Sequence, residues 1–142
     1  MKSKRLVLVL LIIVVLFVSC ANQTALGTDG AEQFVSMRIT GYNNEIILSL
    51  TEVGLYKDET VLDVLIRAAR ENNFQLDYSG IGATAYVKGI DNLYEFDYGA
   101  QSGWIYLVDS YDGTPGVSSG AFALSDNDLV DWIYVTEQTT KL

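Results

Sequence analysis

Few residues of this 142-residue chain are equipped for chemistry, and one omission decides most of what remains. There is no histidine anywhere. Ser–His and Cys–His nucleophile pairs and His-ligated zinc or iron are therefore excluded. Carboxylates, hydroxyls, aromatic rings and a single thiol are left. Asp126 and Asp128, with Asp109 and Asp112, offer oxygen ligands for calcium. Their spacing does not match an EF-hand loop, and turn chemistry accounts for them more simply. The segment from Thr114 to Gly120 carries hydroxyls with no base beside them. It reads as a mobile loop at one end of a sheet, a common place for binding residues. The expectation is a binding protein and not an enzyme, with no cofactor and no metal.

The thiol has a defined context. Met1-Lys2-Ser3-Lys4-Arg5 is followed by an unbroken apolar run of 13 residues, Leu6 to Val18, and then by Ser19-Cys20. A basic start, an apolar stretch and a small residue at the cut describe a secretory signal. The run is shorter than the roughly 20 residues a bilayer span requires. Phe17-Val18-Ser19-Cys20 resembles the lipobox cut by signal peptidase II, departing from it only at Phe17, where Leu is usual. Cleavage there leaves Cys20 at the new N-terminus to carry a lipid. Residues 1–19 are thus predicted to be a lipoprotein signal peptide, and the protein to sit lipid-anchored on the extracytoplasmic face of the cell membrane. An uncleaved anchor with an incidental Cys20 is the competing reading; it too places the domain outside.

Cleavage would remove Lys2, Lys4 and Arg5 and no acid, leaving 6 Lys and Arg against 18 Asp and Glu, a formal charge of −12. A surface this acidic repels nucleic acid and anionic lipid heads. No cysteine follows Cys20, so stability must come from packing. Residues 20–33 are small and polar and read as a flexible tether. Residues 34–142 have the length of one domain.

Val35, Met37 and Ile39 alternate with polar residues, and Ile46, Leu48 and Leu50 resume the alternation after Gly41-Tyr42-Asn43-Asn44. This predicts a β-hairpin. Thr60 and Asp63 form a capping box opening a helix with an apolar stripe of Leu62, Leu65, Ile66 and Ala69, stopped at Asn72-Asn73. Asp63 and Arg67 are expected to pair across one turn. Short strands are expected over 75–78, 85–90, 93–98, 104–108 and 129–136. The order predicts an α+β fold with one helix packed on a mixed sheet.

Nine Tyr and two Trp are many for such a domain. Trp104, Tyr106 and Val108 share one strand face, and Trp132 and Tyr134 alternate with Ile133. They form a candidate aromatic platform for a flat ligand. The competing reading packs that face on Leu62 and Leu65. Tyr86, Tyr94 and Tyr98 read as surface strand residues.

Four segments in order carry a family resemblance: Thr60-Val61-Leu62-Asp63-Val64-Leu65, Ala85-Tyr86-Val87-Lys88-Gly89-Ile90, Gly103-Trp104-Ile105-Tyr106-Leu107-Val108, and the run Leu124 to Tyr134. The series resembles the transcobalamin-like C-terminal domain family over essentially all of the globular part, Phe34 to Val135. The resemblance implies a β-grasp-like fold and a relation to the smaller domain of vitamin B12 carriers, hence a cobalamin or other corrinoid as ligand. The family usually has Val-Asn-Gly where this chain reads Val108-Asp109-Ser110, so the turn should be longer and shifted toward Asp112-Gly113. Asn127 stands where the family often has Gly, and Asn tolerates a left-handed backbone. Trp104, Tyr106, Trp132, Tyr86, Asp109 and Ser110 form the candidate ligand set. The two functional expectations are a surface lipoprotein that captures a corrinoid, with a transporter as possible partner, and an interaction module that grips a partner protein or wall polymer with no small ligand.

Overall fold

Alternating apolar residues build the first hairpin. The computed structural model describes residues 25–109 and 115–137; the signal segment, Cys20, Ser110 and Asp112 lie outside the described residues. Strands β2 (Gln33–Thr40) and β3 (Ile46–Leu55) pair antiparallel around a short turn in which Asn43 and Asn44 take left-handed φ of 55° and 62°. Val35, Met37 and Ile39 point inward together with Leu50, Val53 and Leu55. The strand β3 runs five residues beyond Leu50, where the simple alternation stops. A bulge opposite Val35 and Met37 shifts its phase, so Leu50 and Val53, three apart, face the same side.

Part of the segment expected as a flexible tether, 20–33, is instead built into the sheet. Ala25–Leu26 forms strand β1, parallel to β3, and Gln33 already belongs to β2.

Helix α1 (Val61–Asn72) starts and stops where the sequence indicates. The Thr60 hydroxyl accepts from Asp63 N–H at 3.3 Å and the Asp63 carboxylate accepts from Thr60 N–H at 2.9 Å. Asn73 closes the helix at φ 58°. Its buried face is wider than a four-residue stripe, adding Val61, Val64 and Ala68, while Ile66 is only half-buried. The expected Asp63–Arg67 pair does not form. Asp63 is spent on the cap, and Arg67 turns to β3 and the preceding loop, donating to Gly54 O at 2.6 Å and Glu59 at 2.9 Å, with its guanidinium 5.1 Å over the Tyr56 ring.

Strands β7 (Gly103–Val108) and β8 (Leu129–Val135) complete a sheet of order β1-β3-β2-β8-β7. Its central neighbours β2 and β8, the hairpin's first strand and the last strand, are parallel, with Met37 opposite Val130 and Ile39 opposite Trp132. A hairpin, a helix on one face and this central parallel pair make the fold α+β. Strands β4 (Leu76–Ser79), β5 (Tyr86–Ile90) and β6 (Leu93–Tyr94) form a separate three-stranded sheet. The strand expected over 93–98 is therefore cut to two residues. Asp97 accepts from Tyr94 N–H at 2.8 Å and Phe96 adopts φ 70°, which turns the chain away.

Candidate functional site

The three aromatic residues of the candidate platform face the core. Trp104 and Tyr106 on β7 and Trp132 on β8 lie on the same side of the sheet as Met37 and Ile39, and their relative exposures are 7%, 7% and 2%. An open platform is thus corrected to a buried aromatic cluster. Trp132 and Tyr106 are directly opposite, with ring centroids 5.5 Å apart; Trp104 meets Tyr134 edge-on at 5.3 Å. Their polar tips reach backbone carbonyls of β6 and of a loop: Trp104 Nε1 donates to Leu93 O at 2.9 Å, Tyr106 OH to Val117 O at 2.8 Å, and Tyr134 OH to Tyr94 O at 2.7 Å. Buried aromatics with satisfied polar atoms behave as core. The indole N–H of Trp132 is the exception. It is buried and has no acceptor among the described residues.

The cluster nevertheless borders a cavity. Strands β5 and β7 approach each other without sharing a ladder, and between them opens a slot of about 190 Å³. Trp104, Tyr106 and Trp132 line it from the main sheet, Tyr86 and Val87 from β5, and Val117 to Ser119 from the connecting loop. Four of the six candidate residues therefore converge. Tyr86 stands about half exposed, with its OH donating to Glu95 at 2.7 Å. That hydrogen bond to a carboxylate, then partial burial and the Glu95 charge, raise the Tyr86 pKa above its ordinary 10.0.

The slot's loop wall is pinned, which corrects the expectation of a mobile loop. Ser118 Oγ donates to Ala85 O at 2.6 Å, Leu62 N–H donates to Ser119 O at 3.1 Å, and Gly120 lies so close to Gly82 that a Cβ would stand 2.7 Å from the Gly82 oxygen. A loop held both just before β5 and at the first turn of α1 is a wall.

Asp109 does not line the slot. Its carboxylate accepts from Leu129 N–H at 2.7 Å and closes the β7–β8 ladder. Ser110 lies outside the described residues, as does the longer turn expected toward Asp112-Gly113. Asp126 accepts from Phe34 N–H and Asp128 from Ser125 N–H, each at 2.8 Å, and Asn127 takes the left-handed φ of 68° expected of it. Among the described residues no three Asp, Glu, Cys or His side chains gather as metal ligands.

Two features carried no sequence signal. An open groove of about 710 Å³ runs past Gly30, Glu32, Tyr56, Lys57, Asp58 and Asp126. Tyr42 and Tyr98 stack at 3.6 Å between centroids, although Tyr98 sits in a turn and not in the expected strand. The partners are 56 residues apart, and no local period links them.

No protein-family model matches the chain, and no curated protein matches it significantly.

Proposed function

We propose that this is an exported, lipid-anchored binding protein that takes its ligand at the slot between β5 and β7. The observation that carries this reading is convergence: Trp104, Tyr106, Trp132 and Tyr86, from three separate strands, border one cavity. The sequence supports the export and the lipid on Cys20, through the basic start, the apolar run and the lipobox-like Phe17-Val18-Ser19-Cys20. The lack of histidine and the satisfied acids support binding without catalysis.

The slot's size shapes the ligand. A dry apolar cavity near 150 Å³ holds a benzene-sized molecule, and drug-sized ligands fill about 300–1,000 Å³. A slot of about 190 Å³ takes one ring or a branched aliphatic group. A corrinoid, the ligand suggested by the family resemblance, would lie across the mouth with one substituent inside. Its cobalt would keep its own axial ligands, because the chain has no imidazole to offer. Titrating residues 21–142 with cobalamin and cobinamide, followed by calorimetry and visible absorbance, tests this. Saturable binding weakened by Val87→Phe, which fills the slot, supports the corrinoid reading. A folded domain with no heat at millimolar ligand removes it.

A second reading has its own observation. The sheet face opposite the helix carries half-exposed Ile105, Leu107, Ile133 and Val135 beside the Arg38–Asp131 pair. Together with a slot sized for one side chain, this suits an interaction module for a partner protein or wall polymer. Binding to isolated surface protein or wall material, lost on Ile105→Lys, favours it over the corrinoid.

A further inference from the structure

The segment that leads from the anchor to the domain is clasped to it. Ala25 and Leu26 sit in register with Glu52 and Val53. Beyond them Gly27 turns at φ 53°, and Tyr56 OH reaches both Gly27 O at 3.0 Å and Asp29 O at 3.3 Å. Two glycines make the crossing possible. A Cβ on Gly54 would stand 2.0 Å from the Gly27 oxygen, and a Cβ on Gly27 would stand 2.6 Å from Nη1 of Arg67. Arg67 is itself fixed by Glu59 and Gly54 O. Strand, glycine crossing and tyrosine hydroxyl are three independent restraints on one short stretch.

From these restraints we infer that the clasp turns the β1–β3 edge of the domain toward the membrane surface and holds the β5–β7 slot on the side facing away. The inference rests on the lipid-anchored reading proposed above. Only the segment from Cys20 to Ala25 separates lipid from clasp, and five fully extended residues reach at most about 18 Å. The slot lies at the other edge of the sheet, four strand spacings or about 19 Å from β1. A chain released as far as Gln33 would reach more than twice as far and let either edge approach the bilayer. Clasped, the domain keeps one edge nearest the lipid and meets its ligand from the outside. The formal charge of −12 left after cleavage adds to this, since anionic head groups repel the acidic body and keep the rest of the domain away from the bilayer beyond the attached edge.

The test uses the full-length, processed protein in phosphatidylcholine vesicles carrying a nitroxide on the head group. Ile46→Cys marks the start of β3 and is 56% exposed; Ile81→Cys, 84% exposed, marks the turn whose Gly82 carbonyl accepts from Ser118 in the slot wall. A thiol-reactive fluorophore is attached after processing. Quenching should be several-fold stronger at position 46 than at position 81. The ratio should fall toward unity in Gly27→Leu, which cannot keep the crossing, and partly so in Tyr56→Phe, a milder change that removes only the hydroxyl. Equal quenching at the two positions overturns the orientation, and so does an unchanged ratio in a folded Gly27→Leu protein. Failure of the premise looks different: a wild-type protein whose Cys20 still reacts with maleimide carries no lipid, and the orientation then falls with the anchor.

Discussion

One core has two differently closed ends. Toward β2 and β3 it is aliphatic: Val35, Met37, Ile39 and Val53 meet Val61, Val64, Leu65 and Ala68 of α1, and each is 0–1% exposed. Toward β7 it is aromatic, built from Trp104, Tyr106, Trp132 and Tyr134 and covered by the small sheet and a loop. A regular helix presents a continuous stripe that interdigitates with a sheet and leaves no gap. Short pieces joined by hydrogen bonds to carbonyls cannot tile a surface of large flat rings, and a slot remains. Tight closure comes from regular periodicity, and the cavity appears where the covering is irregular.

The sharpest challenge to the closed end is Leu65→Asp. Leu65 is fully buried, and an unpaired carboxylate there costs several kcal/mol, much of a total stability of roughly 5–15 kcal/mol. Loss of the cooperative thermal transition is expected; an unchanged melting temperature would show that the helix does not close this end. At the aromatic end Trp104→Ala should cost roughly 3–5 kcal/mol in a denaturant titration, since the ring is core and its N–H is used. A loss under 1 kcal/mol, read against the usual surface effect of about 0.5 kcal/mol, would restore the open platform.

The comparison itself is tested by adding carbon to each end. Ala68→Leu over-packs the closed end and should cost about 1–3 kcal/mol. Val87→Ile adds one methylene at the slot wall and should be neutral or stabilising by about 0.5–2 kcal/mol. Equal losses at both sites would mean that the slot is not spare volume. The smallest effect concerns the mouth. Tyr86 has its pKa raised in the folded state, so the stability it adds is fully present below its unfolded pKa near 10 and is lost as pH rises through the higher folded value. The ultraviolet absorbance difference between wild type and Tyr86→Phe should show Tyr86 ionising above its ordinary value, and Glu95→Gln should bring it back down.

How much of this was legible depends on whether a residue's neighbours are local. The capping box Thr60–Asp63 and the stop at Asn73 are written within a few residues of one another, and both are found in place. The hairpin was readable up to Leu50, where the bulge breaks its phase. On β7 every residue from Trp104 to Val108 is aliphatic or aromatic, so composition identified a strand without saying which face is inside. That choice is made by Leu93 and Val117, whose carbonyls receive the aromatic tips from 11 residues away in either direction. The slot was beyond reach for the same reason. Its walls come from residues 85–87, 104–106, 117–119 and 132, which only the fold brings together. Arg67 shows the converse error: a plausible i, i+4 partner loses to the cap, which claims Asp63 first.

The central parallel pair has a consequence for the order of events during synthesis. Arg38 of β2 and Asp131 of β8 are 93 residues apart and are joined by two hydrogen bonds of 2.8 and 2.7 Å. The middle of the sheet therefore cannot close until β8 has left the ribosome. Until then β2 has only its hairpin partner, and its other edge is bare. Topologies with such distant pairings fold slowly. A chain whose centre is sealed by β8 keeps that centre open until Asp131 has been made, 93 residues after Arg38.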